Sequence, residues 1–196
     1  ICSGLVGSEM CIRDSLDSKA HPNFHRQGSE SDMLHEDLVL PQHSPEEERR
    51  LAVLARYHIL DTPREESFDR IAQVAQRLFE QPYACVTLVD RDRVWFKAAC
   101  GIEIEQVDRE SGLCSTTFAQ NDVVVIPDTQ ANPVSAKNSL VTGEFNLRTY
   151  IGAPLRSACG LPLGTLCIFG HEVREYTEDE IQTLRDLAAL VMDQLE

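Results

Sequence analysis

With 196 residues, 42% apolar and 26% charged, the chain has room for one domain of about 150 residues and a tail. A formal net charge of −14 and a pI near 4.8 argue against a nucleic-acid-binding surface, which needs clustered Lys and Arg. No run of about 20 apolar residues is present, so no membrane span is expected.

Residues 1–43 are unlike the rest. Ile1 to Ile12 is broken by Ser3, Gly4, Gly7, Ser8 and Glu9 and has no basic residue ahead of it, so it lacks the layout of a secretory signal. Without a leader or a span, the cytoplasm is the expected location. The stretch from Cys2 to Ser15 resembles translated sequencing adaptor, and residues 1–15 are therefore read as an artefact ahead of a disordered tail. Four of the six histidines lie in this part, including His21 and His25. Pro22 between them opposes the helix that would aim both at one metal ion, so no metal site is expected.

From Ser44 the sequence becomes periodic. Three hydroxyl residues are followed three positions later by Glu: Ser44 by Glu47, Thr62 by Glu65, Thr177 by Glu180. Such a pair satisfies free N–H groups at a helix start, and each precedes apolar residues at helical spacing. The apolar faces are Leu51, Leu54 and Ala55, then Phe68, Ile71, Val74 and Leu78, and last Ile181, Leu184, Ala188, Val191 and Leu195.

Between the second and third helices the period becomes that of strands. Residues 83–89 and 94–100 read as a hairpin around Asp90-Arg91-Asp92-Arg93. Residues 123–126 form a short strand stopped by Pro127, and 148–155 and 161–169 a second hairpin. A short helix starts near Ser115 and runs to Gln120. Hairpin-linked strands with flanking helices predict an α+β fold on an antiparallel sheet. The seven cysteines, at 2, 11, 85, 100, 114, 159 and 167, contain no Cys-x-x-Cys pair. They read as small hydrophobes of a reducing compartment, not as a disulfide framework or zinc site.

These residues also carry a family resemblance. Tyr57-His58-Ile59-Leu60-Asp61-Thr62-Pro63 with Ser67-Phe68-Asp69-Arg70-Ile71 is similar to the opening of GAF domains in bacterial histidine kinases and diguanylate cyclases. So are Val86 to Lys97, Val125-Ile126-Pro127-Asp128-Thr129, Arg148-Thr149-Tyr150-Ile151-Gly152-Ala153-Pro154-Leu155 and Leu163-Gly164-Thr165-Leu166-Cys167-Ile168. The resemblance covers residues 45–196. It implies a five- or six-stranded sheet with the terminal helices on one face and a small-molecule pocket under loops on the other.

By resemblance the pocket draws on Trp95, Phe96, Cys114, Phe118, Asp128, Arg148 and Tyr150. Trp95 and Phe96 are strand neighbours, so only one of them can face it. Asp128 is equally readable as a turn residue bonding its own backbone, Arg148 as a surface ion-pair partner, and Tyr150 as a half-buried sheet residue. Gly152 and Pro154 read as backbone devices.

The implied function is that of a regulatory sensor: a small molecule binds, and the C-terminal helix 177–196 relays its presence to an output kinase or cyclase beyond Glu196. The helix apolar spacing of three and four is that of a heptad seam, which predicts a homodimer, with Leu187 and Leu190 packing on the sheet. Two alternatives are a ligand-free dimerisation module and a thiol enzyme resembling the free methionine sulfoxide reductases. For the enzyme, Cys114 would gain a lowered pKa at a helix start. The second cysteine, due before the fourth strand, is missing from residues 132–149. Cys114 is followed by Ser115 instead of His, so no covalent bilin is expected. No phosphate loop or hydrolase triad is present, and the fragment is not expected to be an enzyme.

Overall fold

The computed structural model describes residues 44–109 and 113–196; the expected disordered tail and adaptor segment lie outside the described residues. Helices α1 (Pro45–Arg56) and α2 (Glu66–Leu78) precede strands β1 (Tyr83–Val89), β2 (Arg93–Cys100) and β3 (Gln106–Asp108). Helix α3 (Cys114–Gln120), strand β4 (Val124–Ile126), helix α4 (Ser139–Thr142), strands β5 (Thr149–Arg156) and β6 (Pro162–Gly170) and helix α5 (Glu178–Leu195) follow. The six strands form one antiparallel sheet in the order β3-β2-β1-β6-β5-β4.

Two strand pairs are closed by turns that the sequence marks. Asp90 N–H donates to the Arg93 carbonyl (2.9 Å) between β1 and β2. In the β5–β6 turn Gly160 takes a φ of +79°, a left-handed conformation open to glycine without steric cost. The two elements that periodicity missed are β3 and α4. β3 is a three-residue edge strand with two exposed polar ends, too short for its alternation to mark it. α4 is one turn long, held by the Asn138 side chain accepting from Leu140 N–H at 2.8 Å.

The three expected capping boxes fare differently. Thr177 and Glu180 form the full reciprocal box that starts α5. Ser44 accepts the Glu47 N–H at 3.1 Å, but the Glu47 carboxylate turns inward to two arginines. The box at Thr62 does not form: α2 begins at Glu66 without a side-chain cap. Thr62 donates instead to the Ile59 carbonyl (2.6 Å), and both Thr62 and Glu65 accept from Lys97 Nζ. A buried ammonium outbids a helix end for these oxygens because it has no water to turn to.

One face of the sheet is covered by α1, α2 and α5, whose Leu54, Phe68, Ala72, Leu184 and Val191 pack on Val86, Ile151, Leu166 and Ile168. The α2 face differs from the expected one: Phe68, Ala72 and Ala75 are buried, while Val74 and Leu78 are exposed. On α5 the seam of Leu184, Ala188 and Val191 is buried in its own domain, together with Leu187, and Leu190 points out. The heptad seam therefore cannot be the face offered to a second subunit. The other face of the sheet packs under α3 and the segment around α4, through Cys85, Val94, Cys167, Phe118, Val141 and Leu147.

Candidate functional site

The layer between the sheet and α3–α4 holds a cavity of about 60 Å³. Phe96 from β2, Tyr150 from β5 and Phe169 from β6 form its sheet side; Leu113 and Cys114 enter from the start of α3, and Leu140, Phe145 and Leu147 from the segment around α4. Its surface is almost wholly apolar. A water needs roughly 10–15 Å³ of such space, and typical small-molecule sites span about 300–1,000 Å³. In this conformation the cavity therefore suits a very small apolar group.

Tyr150 is the main polar feature of this layer. Its hydroxyl lies 2.9 Å from the Thr117 hydroxyl, and burial raises its pKa far above the usual phenol value, so it stays a neutral donor. Gly152 makes room for this pair: a Cβ there would collide with both the Tyr150 and the Thr117 hydroxyl. Cys114 Sγ, in the cavity wall, sits 3.6 Å from Cys167 Sγ, and Cys167 is paired in register with Cys85 on β1. The Cys167 contact and burial together push the Cys114 thiol well above its usual range. This corrects the expectation of an activated thiol at a helix start. Burial and the thiol neighbour outweigh the Thr165 and Thr87 hydrogen bonds that favour the thiolate.

The predicted site residues separate into four groups. Phe96, Cys114 and Tyr150 line the cavity together. Trp95 lies on the opposite face with Phe68 and Ala98, its ring 5.9 Å from Lys97 Nζ. Phe118 belongs to the cavity's layer but serves as a platform for two buried arginines, with Arg50 Cζ 4.7 Å and Arg109 Cζ 5.3 Å from the ring centre. Asp128 and Arg148 pair with each other at 3.2 Å, and Asp128 also accepts from Gln130 N–H at 3.0 Å. Burial opposes ionisation of Asp128, yet the Gln130 N–H and the Arg148 guanidinium hold its pKa below the usual carboxylate value. Turn and ion-pair chemistry thus occupy both residues.

Sequence reasoning did not find Leu140, Phe145, Leu147 and Phe169. The signal for the first three is apolar residues within the otherwise polar stretch 128–148, which has no period because the segment is irregular; Phe169 stands on β6, a strand that was expected. Phe145 also meets Tyr83 (5.3 Å) and His171 (5.2 Å) ring to ring, and Tyr83 and His171 share a hydrogen bond of 3.0 Å. These contacts fasten the α4 segment over the cavity. Among the described residues no group of three or more His, Cys, Asp or Glu side chains could hold a metal ion, and no helix is long and apolar enough to cross a membrane.

A GAF domain family model matches residues 63–195. A cyclic di-GMP phosphodiesterase of Pseudomonas aeruginosa is 32% identical over 156 residues, which are 79% of this chain and 27% of that protein. The chain thus spans about a quarter of the length of this curated relative. Among solved structures, the GAF domain of an Acinetobacter phosphoenolpyruvate-protein phosphotransferase superposes with a TM-score of 0.57 at 14% identity, over 75% of this chain and 92% of that one. The free methionine-R-sulfoxide reductase of Neisseria meningitidis, solved with its substrate, reaches 0.55 at 19% identity, over 87% and 93%. At such identities these two structures speak for the fold alone. Sheet order, helix placement and the family match together make this chain a member of the GAF domain family.

Proposed function

We propose that this domain is the regulatory input module of a cytoplasmic bacterial signalling protein, which senses a small molecule in the cavity under α3 and α4. The observation that carries this reading is the apolar cavity walled by Phe96, Tyr150 and Phe145, with the Tyr150–Thr117 hydroxyl pair in the same layer. Phe96, Cys114 and Tyr150 are the contacts proposed for the ligand. Trp95, Phe118, Asp128 and Arg148 then act indirectly, through packing and ion pairs. The signal leaves through α5, which packs on β5 and β6 across the sheet from the cavity. An output domain in the same polypeptide, of the histidine kinase or cyclic-di-GMP-metabolising kind, would receive it, and the domain would work as a homodimer. Ligand can shift the α5 arrangement only by its differential affinity for two states.

The small size of the cavity favours a second reading, a ligand-free docking or dimerisation module. The thiol-enzyme reading draws support from the fold shared with a methionine sulfoxide reductase, but the raised Cys114 pKa weighs against a thiolate nucleophile. One experiment separates the readings. Protein purified from cells is denatured, and the released small molecules are identified by mass spectrometry. Stoichiometric release of one compound, lost in Tyr150→Phe or Phe96→Ala protein, supports the sensor. Release of nothing, with no binding from a metabolite library, supports the docking module and ends the sensor reading.

A further inference from the structure

The charge cluster under Phe118 is not balanced. Glu47, Arg50 and Arg109 are 0%, 0% and 3% exposed. Arg50 spends its Nε–Nη2 edge on Glu47, at 2.8 and 2.7 Å. Arg109 gives only Nη1, to Glu47 Oε1 at 2.6 Å and to the Asp90 and Arg91 carbonyls at 3.2 and 3.1 Å. Arg109 Nε and Nη2 and Arg50 Nη1 are buried without a hydrogen-bond partner. Two permanent cations thus face one carboxylate among the described residues, and arginine cannot shed its charge by losing a proton. The unpartnered Nε–Nη2 edge of Arg109 is the side of the guanidinium that matches two oxygens of a carboxylate or phosphate.

We propose that this edge is the receptor for one oxyanion group, phosphate or carboxylate, at a site separate from the apolar cavity. A single bound monoanion fills both free donors of Arg109 and brings the cluster to neutrality. Arg50 belongs to α1 and Arg109 to the turn after β3, and both guanidiniums lie on the α3 ring of Phe118. The anion therefore ties the first helix of the domain to the wall of the cavity layer. The site gives the domain a second input, for a charged metabolite, beside the apolar one.

The test is calorimetric titration of the full chain with inorganic phosphate, and separately with acetate, at ionic strength matched with chloride. Saturable uptake of one ion per chain is expected. Arg109→Lys keeps the charge but loses the two-donor edge and should weaken uptake about tenfold or more. Glu47→Gln frees the Arg50 edge and should strengthen it. Arg91→Lys, at a surface pair with Glu48, should leave it unchanged. Absence of saturable uptake in the folded wild type overturns the proposal, as does equal affinity in the wild type and Arg109→Lys. Uptake by Glu110→Gln protein but not by the wild type also overturns it, because the chain's own carboxylate would then serve the edge.

Discussion

Lys97 Nζ lies 2.5 Å from the Glu65 carboxylate, 32 residues earlier in the chain. The lysine side chain is 1% exposed and the glutamate 49%. Lys97 also donates to the Thr62 hydroxyl and the Pro63 carbonyl, each at 2.8 Å. It sits at a register shift between β1 and β2, where Ala98 pairs with Val86 and Phe96 with Thr87. That shift leaves Lys97 as the extra residue of a bulge. A strand irregularity thus fixes the loop between α1 and α2, by aiming one ammonium at three oxygens.

The two partners should respond unequally. Lys97→Met removes the donor and strands acceptors in a partly buried loop, at an expected cost of about 1–3 kcal/mol. Glu65→Gln leaves a half-exposed group that water can serve, at a cost below about 1 kcal/mol. Urea unfolding of both variants checks the order; equal losses would mean that the ion pair, not the loop contacts, dominates.

Glu47 sets a pH dependence. Burial alone would raise its pKa, but hydrogen bonds and attraction from Arg50 and Arg109 hold it below the ordinary 4.5. A carboxyl with a depressed folded pKa contributes stability above its unfolded value and loses it as pH falls through the folded value. Stability should therefore decline below pH 4.5, with part of that decline absent in Glu47→Gln. The same variant should lose roughly 3–5 kcal/mol at neutral pH, because it leaves two buried guanidiniums less compensated. Denaturant titrations at several pH values read both effects.

Strand positions were legible because the central strands are buried on both faces and read as short, nearly continuous apolar runs bounded by turn residues. Residues 83–89 and β1 coincide, and the hairpins at 90–93 and 157–160 carry their own turn chemistry. Helix faces were less legible. Val74 and Leu78 continue the spacing of Phe68 and Ile71, yet the small residues Ala72 and Ala75 are the ones buried, because α2 lies close against the sheet and α5. The ion cluster was invisible. Arg109 meets Glu47 across 62 positions, and buried charges leave no periodic trace in a sequence. Cys114 stands at the start of α3, but its protonation depends on Cys167, 53 positions away.

Thiol chemistry offers a sharp contrast. Cys159, in the exposed β5–β6 turn, has its pKa lowered by the Ser157 hydroxyl and neighbouring N–H groups. Cys114 and Cys167 are buried, with pKa values pushed well up, and Cys85 is buried beside them. Among the cysteines of the described residues, brief iodoacetamide treatment near pH 8 should label Cys159 first, and the buried three only after unfolding. Peptide mapping by mass spectrometry gives the order. Rapid native labelling of Cys114 would show access to the cavity and revive the thiol-enzyme reading.

Gly152 should be intolerant of a side chain. The added methyl group of Gly152→Ala meets the Tyr150 and Thr117 hydroxyls, both fixed in a buried layer. Overpacking of this kind costs typically about 1–3 kcal/mol. It would also break the hydroxyl pair beside the cavity, so a ligand that bonds Tyr150 should be lost along with the stability. Thr117→Ser keeps the hydroxyl and removes a methyl group, and in the double variant it should recover part of the loss. Thermal unfolding of the single and double variants checks this coupling.

A homodimer through α5 must use its outer surface, because Leu184, Ala188 and Val191 are committed to the domain core. Leu190 is the large apolar residue that α5 leaves 52% exposed, and Val74 and Leu78 of the neighbouring α2 are exposed as well. Surface changes away from packed features usually shift stability by no more than about 0.5 kcal/mol. Leu190→Glu should therefore leave the unfolding midpoint of a monomer almost unchanged, while placing a charge in any interface built on this surface. In sedimentation velocity, a wild-type dimer that becomes monomeric in Leu190→Glu assigns the interface to the α2–α5 outer surface. A wild-type monomer at high concentration removes the dimer claim, and a dimer untouched by the substitution moves the interface away from α5.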